Sequence, residues 1–310
     1  MSLVEFSPIA VFAYRRTAHL VRVLDALEAC PEFEKSRCFV FSDGPRTKEQ
    51  ETDVAAVRAL LRARLRPNMT IVESPTNMGV DASIVAAVTR LCDEFGRLIV
   101  IEDDIVVAPC ALEWFNTALN RYENEDRVWQ ISGHQFVVPE FAEHESGLFL
   151  PLTTSWGWAT WKRAWDMYDP RMKGWERLKA DRELRRRFDI DDSYPYADML
   201  FRQKQNQSET WDIVWKWRVF TSDGLVLFPP RSLVTNIGFD ETATHGRFGR
   251  LRSLLAALRP KYRDNAVAKK SPSLPSAICS SREDIQFVAR ALRRTHQRTI
   301  AMVRRMLGWR

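Results

Sequence analysis

Long apolar runs, clustered cysteines and a basic leader are all missing from this chain of 310 residues. No stretch of about 18 consecutive apolar residues occurs, so the sequence predicts no membrane-spanning helix. The short apolar segment 8–14 has no basic residues before it, which favours a first β-strand over a secretion signal. The five cysteines are scattered, without a CxxC pair or a His/Cys cluster of zinc-ligand spacing. These absences predict reduced thiols in a cytoplasmic protein.

Charge is distributed unevenly along the chain. Residues 247–310 hold 16 Lys/Arg and 3 Asp/Glu, whereas residues 1–246 hold 30 Lys/Arg and 37 Asp/Glu. An acidic body with a basic tail predicts that the tail contacts something anionic.

Short apolar runs alternate with helix-like segments in the first half of the chain. Apolar residues recur at helical spacing after each run, and the strand-like runs are 9–14, 38–41, 70–72 and 98–101. Such alternation predicts an α/β fold whose mainly parallel sheet is sandwiched by helices. Residues 111–122 are predicted to be helical, 128–132 and 225–228 to be strands, and 179–187 to be a charged, solvated helix.

Three carboxylates, Glu102, Asp103 and Asp104, come directly after the buried run 98–101. Ligands of open α/β sheets bind beyond the carboxyl ends of the strands, so the trio is predicted to lie in a binding crevice. A divalent cation would relieve the repulsion between the carboxylates, and oxygen ligands suit Mg²⁺ or Mn²⁺. A solvated acidic turn is the alternative.

The trio and its flanks, VIEDDIVVAPCALEWF from Val100 on, resemble the metal-site segment of the family of N-acetylglucosaminyltransferase I and related GT-A glycosyltransferases. Further segments resemble that family and follow in its order: 8–11 with Arg15 or Arg16, 41–43, 128–132, 155–158, 211–212, 230–232, 236–238 and 245–246. The resemblance implies a GT-A fold and an inverting transferase that moves a sugar from a nucleotide-sugar donor, with a UDP-sugar favoured, to a glycan or lipid-linked saccharide acceptor. Residues 165–211 form a longer insert than we expect in that family.

The resemblance also implies roles for individual residues. Asp104 would bind Mn²⁺ or Mg²⁺, and Glu102 and Asp103 would contact the ribose and sugar of the donor. Asp212 would be the general base, although Asp is also a favoured N-cap and could instead cap a helix over 213–219.

Other expected donor contacts come from elsewhere in the sequence. Asp43 would bind the base, unless it only stabilises the turn Ser-Asp-Gly-Pro. Arg15 and Arg16 would hold the phosphates, with an ordinary surface pair as the alternative. Trp211 and His245 are further donor-binding candidates.

Residues 1–248 are predicted to form the transferase domain, with a nucleotide-binding half over about 1–110 and an acceptor half over about 111–248. In the latter, Asp240 and Glu241 are reserve candidates for the base. Residues 249–310 would form a basic helical tail, with a linker near 269–281. The helical part, 283–307, is expected to lie on an anionic membrane surface; packing on the acidic body is the alternative.

Two other classes of protein are compatible with parts of the sequence. A sugar nucleotidyltransferase shares the α/β layout, but it usually carries a glycine-rich phosphate loop, and 9–20 contains no glycine. A non-catalytic protein that binds an anionic polymer would account for the basic tail. No familiar nucleic-acid-binding motif occurs, and we expect no nucleic-acid partner.

Overall fold

The apolar runs of the sequence form a single large sheet with helices on both faces. The computed structural model describes residues 6–206, 210–238 and 268–306. Its strands are β1 (Ile9–Ala13), β2 (Cys38–Ser42), β3 (Met69–Glu73), β4 (Arg97–Glu102), β5 (Ile105–Val107), β6 (Val128–Ser132), β7 (Leu148–Leu150), β8 (Trp158–Trp161), β9 (Leu225–Phe228) and β10 (Val234–Asn236).

Ten α-helices occur in these described ranges. They are α1 (Thr17–Glu28), α2 (Glu51–Ala63), α3 (Val80–Phe95), α4 (Ala111–Arg121), α5 (Lys162–Trp165), α6 (Arg177–Ala180), α7 (Arg182–Phe188), α8 (Tyr196–Lys204), α9 (Trp211–Thr221) and α10 (Arg282–Met306). The four predicted strands of the first half and the helices between them are confirmed.

The eight-stranded sheet has the order β3-β2-β1-β4-β8-β6-β9-β7. Strands β1 to β4, β6 and β9 run in one direction, and β7 and β8 are reversed. The prediction of a mainly parallel sheet is therefore confirmed. Antiparallel β5 and β10 form a separate two-stranded ribbon. This topology places the carboxyl ends of β1, β2, β3 and β4 side by side at one edge.

Each face of the sheet buries its own apolar core. One core takes Leu20 and Leu24 from α1, Leu61 from α2 and Trp114 from α4. The opposite core takes side chains from the strands and from α3, α9 and α10, among them Val88, Leu98, Val100, Trp211, Trp215 and Val288. Burial on both faces accounts for strands that are apolar at every position rather than at alternate positions.

A third, smaller core forms from the segment between α5 and α9. Met172, Leu178, Phe188 and Leu200 pack against Trp217, which belongs to α9. This segment corresponds to the long insert noted in the sequence. It covers one side of α9 while the main sheet covers the other, so α9 is fixed from two sides.

The single charged helix predicted over 179–187 is wrong in its bounds. The chain instead forms α6 and α7, with a break at Asp181, whose backbone is extended. The Asp181 side chain accepts a hydrogen bond from the backbone N–H of Leu184 at 2.9 Å and so caps α7. Asp has a stronger preference for this N-terminal position than for the interior of a helix.

The basic tail helix packs on the body. Val288, Ala289 and Leu292 of α10 are buried in the core beneath the sheet, and Arg290 pairs with Glu140 at 2.7 Å. The apolar stripe that was expected to face a membrane is thus covered by protein over this part of α10. The alternative, packing on the acidic body, is the one found there.

Residues 268–281, which include the predicted linker, lie along the body. Ser273 forms a backbone bridge beside Ser146, the hydroxyl of Tyr122 donates to the carbonyl of Pro275 at 3.1 Å, and Arg127 donates to the carbonyl of Ile278. The boundary predicted at residue 248 lies outside the described residues and stays a prediction. None of the helices in the described ranges combines the length and the hydropathy of a membrane-spanning segment.

Candidate active site

The acidic trio lies at the carboxyl edge of the sheet, as the sequence predicts. Glu102 is the last residue of β4 and is the register partner of Phe12 in β1. The turn that follows β1 therefore passes directly over the trio. It carries Tyr14, whose backbone N–H points at Asp103 Oδ2 over 3.4 Å, and Arg16.

Arg16 bridges two of the three carboxylates. Its Nη2 donates to Asp104 Oδ2 at 2.9 Å and forms a still closer ion pair with Asp103. The side chain of Arg16 is 12% exposed, which shields both pairs from water. Burial alone would lower the pKa of Arg16, but the negative charges of Asp103 and Asp104 outweigh it and raise that pKa. The arginine is therefore a permanent cation between the two carboxylates.

The other predicted phosphate ligand, Arg15, is arranged differently. It is half-buried and forms no hydrogen bond or ion pair with any residue that the structure describes. Its guanidinium is available to an incoming anion, whereas that of Arg16 is engaged.

Glu102 carries the most unfavourable negative charge of the trio. Burial raises its pKa well above the usual range, and the nearby charges of Asp104 and Asp103 add to the shift. Arg16 opposes the rise without cancelling it. Burial likewise raises the pKa of Asp103, despite its pairing with Arg16. An excess of carboxylates over local cations defines this site electrostatically.

The predicted base, Asp212, converges on the same place from a distant part of the sequence. Trp211, the preceding residue, stacks on Trp158, whose register partner in β4 is Val100, two residues before Glu102. The charge of Asp212 adds to the rise in the pKa of Glu102. Burial raises the pKa of Asp212 itself, against the lowering effect of backbone N–H groups at the start of α9. The Oδ1 atom is buried and accepts no hydrogen bond from the described residues. Such an oxygen can accept a proton from a ligand.

Asp212 does not cap a helix, which was the alternative considered from the sequence. Helix α9 begins one residue earlier, at Trp211, and Thr210 occupies the N-cap position. Asp212 lies inside the first turn, where the helix dipole stabilises negative charge.

The ring of Trp211 is buried and does not line the crevice. It anchors the start of α9, which carries Asp212. Its ring stacks on Trp158 with centroids 5.0 Å apart and meets the edge of Trp165, and the residue is only 5% exposed. The donor contact predicted for Trp211 is not tested by any bound ligand and remains a prediction. The Nε1 of Trp158 is a second buried polar atom without a partner among the described residues.

Asp43 holds a loop in place. Its two oxygens accept hydrogen bonds from the backbone N–H groups of Gly44, Met78 and Gly79 at 2.9 to 3.0 Å and from the side-chain amide of Asn77 at 3.0 Å. The carboxylate thus fastens the β3–α3 loop to the end of β2. Its predicted contact with a nucleotide base remains a prediction, and these four bonds give Asp43 a structural role in addition.

A cleft of about 470 Å³ opens beside Asp43, lined by Pro45, Arg46, Thr76, Asn77, Met78 and Gly79. Arg46 and Asn77 were not among the residues predicted from the sequence. The Asn-Met-Gly turn at 77–79 was the available signal, because Gly79 has a φ of +80° that favours glycine. The residues come together only because the loop folds back onto Asp43.

The segment 236–238 closes on the trio from the other side. The backbone N–H of Ile237 donates to the carbonyl of Asp104 at 2.8 Å, and the ring of His19 lies 3.2 Å from the carbonyl of Ile237. Gly238 packs directly on the ion pair: a Cβ there would lie 2.8 Å from Arg16 Nη1 and closer still to Asp104 Oδ2. Only glycine permits this approach. His245, Asp240 and Glu241, named from the sequence, lie outside the described residues.

Residues 155–158, one of the segments that resemble the GT-A family, also border this edge, where Gly157 lies against Ile101, Ile105 and Val234. The ring of Trp156 packs on the buried His134 with centroids 4.5 Å apart. Burial lowers the pKa of His134 to about 3, so this histidine is neutral at physiological pH and serves as a rigid support for Trp156.

The residues present fit a metal that is shared with a ligand, but not a closed metal cage. No group of three or more His, Cys, Asp or Glu among the described residues is arranged to hold an ion. Mg²⁺ and similar ions are commonly held by one or two carboxylates together with substrate phosphates and water. Asp104, 16% exposed and already paired with the cation of Arg16, provides a carboxylate of that kind.

Comparisons with known proteins return structural likenesses at low similarity. No protein-family model matches the chain, and no curated protein sequence matches it. A mannosyltransferase from Pyrobaculum calidifontis, solved with GDP-Man and Mn²⁺, is 15% identical over 50% of this chain and 44% of its own length, with a TM-score of 0.35. The galactosyltransferase LgtC, solved with donor and acceptor sugar analogues, is 12% identical over 95% of both chains, with a TM-score of 0.36.

The bifunctional glycosyltransferase WbbM is also 12% identical, over 91% of this chain and 47% of that chain, with a TM-score of 0.38. All three are glycosyltransferases, yet at these scores the likenesses carry no argument for function. The functional conclusion depends on the site itself.

Proposed function

We propose that this protein is a metal-dependent glycosyltransferase of the GT-A type that uses a nucleotide-sugar donor. The observation that carries the proposal is the convergence of Asp212 on the trio Glu102, Asp103 and Asp104. The ring of Trp211 stacks on Trp158, whose register partner in β4 is Val100, so the start of α9 lies by the carboxyl end of the strand that carries the trio. That edge is the usual ligand crevice of such sheets.

In this proposal Asp212 acts as the general base. Its raised pKa and its unpartnered Oδ1 suit it to accept the proton of an acceptor hydroxyl. The acceptor oxygen would attack the anomeric carbon from the face opposite the departing nucleoside diphosphate, which inverts the configuration in one displacement. Stacking of Trp211 on Trp158 holds the first turn of α9, and with it the backbone of Asp212, in a fixed position.

Asp104 would hold the divalent ion, and Arg15 and Arg16 would contact the diphosphate. A bound Mn²⁺ or Mg²⁺ would supply neutralisation of the negative charge that develops on the leaving group. Glu102 and Asp103 would then face the ribose and the sugar of the donor. The cleft beside Asp43 is the proposed location of the base, with UDP-sugars as the favoured donors.

A thermal-shift panel of UDP- and GDP-sugars, each with and without Mn²⁺, tests this assignment. A ligand that binds only the folded state raises the apparent stability by about 2.7 kcal/mol at a hundred times its Kd. We expect one donor to raise the Tm only when Mn²⁺ is present, and Asp104→Ala to abolish that rise. Asp93→Ala, an exposed acidic position on α3 away from the carboxyl edge, is the matched control and should leave the rise intact.

Two outcomes would oppose the proposal. The absence of any metal-dependent stabilisation across the panel would remove its basis. Stabilisation by a nucleoside triphosphate together with a sugar phosphate, with release of pyrophosphate, would instead identify a sugar nucleotidyltransferase.

The acceptor is proposed to be a glycan or a lipid-linked saccharide, and the tail to contact an anionic membrane. Over residues 288–292 that contact would depend on charge alone, because Val288, Ala289 and Leu292 are buried against the body. Arg293 and Arg294 are exposed arginines that follow this stretch, whereas Arg290 within it is paired with Glu140. Co-sedimentation with phosphatidylglycerol vesicles that is lost at high salt, and is absent with phosphatidylcholine, is the expected result. Sedimentation that resists salt would contradict a purely electrostatic contact.

A further inference from the structure

We infer that Arg16 is a resident cation that competes with the divalent metal for the trio, and that it links metal binding to nucleotide binding. The inference rests on the proposed function and extends it. The guanidinium of Arg16 lies between Asp103 and Asp104, in the place where an external cation would be bound by Asp104.

The charges of the site favour this role. Glu102, Asp103 and Asp104 are consecutive in the chain, and Arg16 forms ion pairs with Asp103 and Asp104 that offset their negative charge. Without it, the repulsion among the carboxylates would increase. Arg16 therefore stabilises the state in which no metal is bound.

The space around the pair is also restricted. Gly238 covers the Arg16–Asp104 pair so closely that a Cβ could not be accommodated, and Ile237 is tied to the Asp104 carbonyl. A metal ion that reaches Asp104 must break its pair with the guanidinium, since two cations on one carboxylate oxygen repel one another. A metal ion alone therefore gains little net binding free energy from Asp104, because the Arg16–Asp104 ion pair must be broken.

A nucleoside diphosphate removes this obstacle. Its phosphate oxygens offer the guanidinium of Arg16 a new anionic partner in the bidentate geometry that arginine favours. The guanidinium of Arg16 can then separate from Asp104, which becomes free to bind the metal, while the phosphate serves as the counter-ion of Arg16. The consequence is positive coupling: nucleotide should increase metal affinity, and metal should increase nucleotide affinity by the same factor.

Binding of Mn²⁺ to the full-length protein, followed by the electron paramagnetic resonance signal of free Mn²⁺, measures this coupling without any assay of activity. The titration is done with no nucleotide, with UDP and with GDP. In the unaltered protein we expect weak binding of Mn²⁺ alone and binding about tenfold or more tighter with the accepted nucleotide. Arg16→Gln should bind Mn²⁺ alone about tenfold more tightly than the unaltered protein. In this variant, nucleotide should no longer increase the affinity for Mn²⁺.

Two further variants keep the test decisive. Arg16→Lys retains the charge on a shorter arm that cannot form the arginine fork, so its affinity for Mn²⁺ alone should lie between those of the unaltered protein and Arg16→Gln. This variant also serves if Arg16→Gln fails to fold. Arg22→Gln removes an exposed charge on α1 that contacts neither carboxylate and should leave the affinity for Mn²⁺ alone unchanged.

The possible failures are distinguishable. Equal binding of Mn²⁺ alone by the unaltered protein and both Arg16 variants would overturn the role of Arg16 and leave the proposed function standing. An equal gain in Arg22→Gln would also overturn it, because a general loss of positive charge would then explain the result. No binding of Mn²⁺ by any variant, with or without nucleotide, would contradict the proposed function itself.

Discussion

Replacement of Glu102 by glutamine should stabilise the ligand-free protein. The pKa of Glu102 is raised well above the usual range, chiefly by burial and further by the charges of Asp104, Asp103 and Asp212. Glutamine has nearly the same shape, cannot ionise and removes one source of repulsion. Stabilisation at the expense of activity is the usual result of removing a strained charge from an active site, and it commonly amounts to about 0.5–2 kcal/mol.

The pH dependence gives this prediction its sharpest form. Because the pKa of Glu102 is higher in the folded than in the unfolded chain, the folded state binds the proton more tightly. The unaltered protein is then most favoured below the unfolded pKa and loses stability as the pH rises toward the folded pKa, by up to about 1.4 kcal/mol per pH unit for one proton. Glu102→Gln lacks this loss, so its advantage should be small near pH 4.5 and larger at pH 7.

Urea unfolding in EDTA at several pH values measures the difference. Glu94→Gln, an exposed position on α3, is the matched control and should change stability little at any pH. A Glu102→Gln protein that is less stable than the unaltered chain, or whose advantage does not grow with pH, would refute the electrostatic description of the site.

Three further variants test other parts of the site. Asp212→Asn should keep Mn²⁺-dependent donor binding and lower transfer by about 10²–10⁴-fold, measured as nucleoside diphosphate release with acceptor; unchanged turnover would remove it as the base. Asp43→Ala should lower the free energy of unfolding by about 2–3 kcal/mol, since the β3–α3 loop loses three hydrogen bonds and the backbone of Gly44 a fourth; urea midpoints equal to those of the unaltered chain would contradict that. Gly238→Ala should displace the Arg16–Asp104 pair and cost about 1 kcal/mol or more, seen as a lower Tm without ligands; an unchanged Tm would show that the close approach is not needed.

The sheet could be predicted from the sequence because its signals are local. Runs such as 98–101 are apolar at every position, since both faces of the sheet are covered, and amphipathic helices separate them. The carboxyl ends of parallel strands share one edge of a sheet. The positions of Arg16 and the acidic trio just after two such strands are therefore enough to predict that they lie near one another.

Interactions between segments that are far apart in the sequence could not be predicted. The sequence Ser-Asp-Gly-Pro identifies Asp43 as a turn residue, but nothing local shows that Asn77 and Gly79 come back to occupy its carboxylate. The pairing of Arg16 with Asp103 and Asp104 similarly depends on the register between β1 and β4.

The tail helix shows a second reason why a sequence pattern does not determine a structure. An apolar stripe at helical spacing, with arginines on the opposite face, has the same appearance whether it covers a lipid surface or a protein surface. The structure places Val288 and Leu292 against the body, where Phe141 and Phe228 belong to the same core. Only that tertiary contact distinguishes the two arrangements.

The most direct test of the account is a crystal structure with Mn²⁺ and the donor nucleotide, using anomalous scattering to locate the metal. We predict one strong peak at about 2.0–2.2 Å from a carboxylate oxygen of Asp104, shared with the diphosphate, and the guanidinium of Arg16 turned from Asp104 toward the phosphates. A nucleotide bound elsewhere on the protein, or a peak away from Asp104 with the Arg16 pair intact, would contradict the central claim.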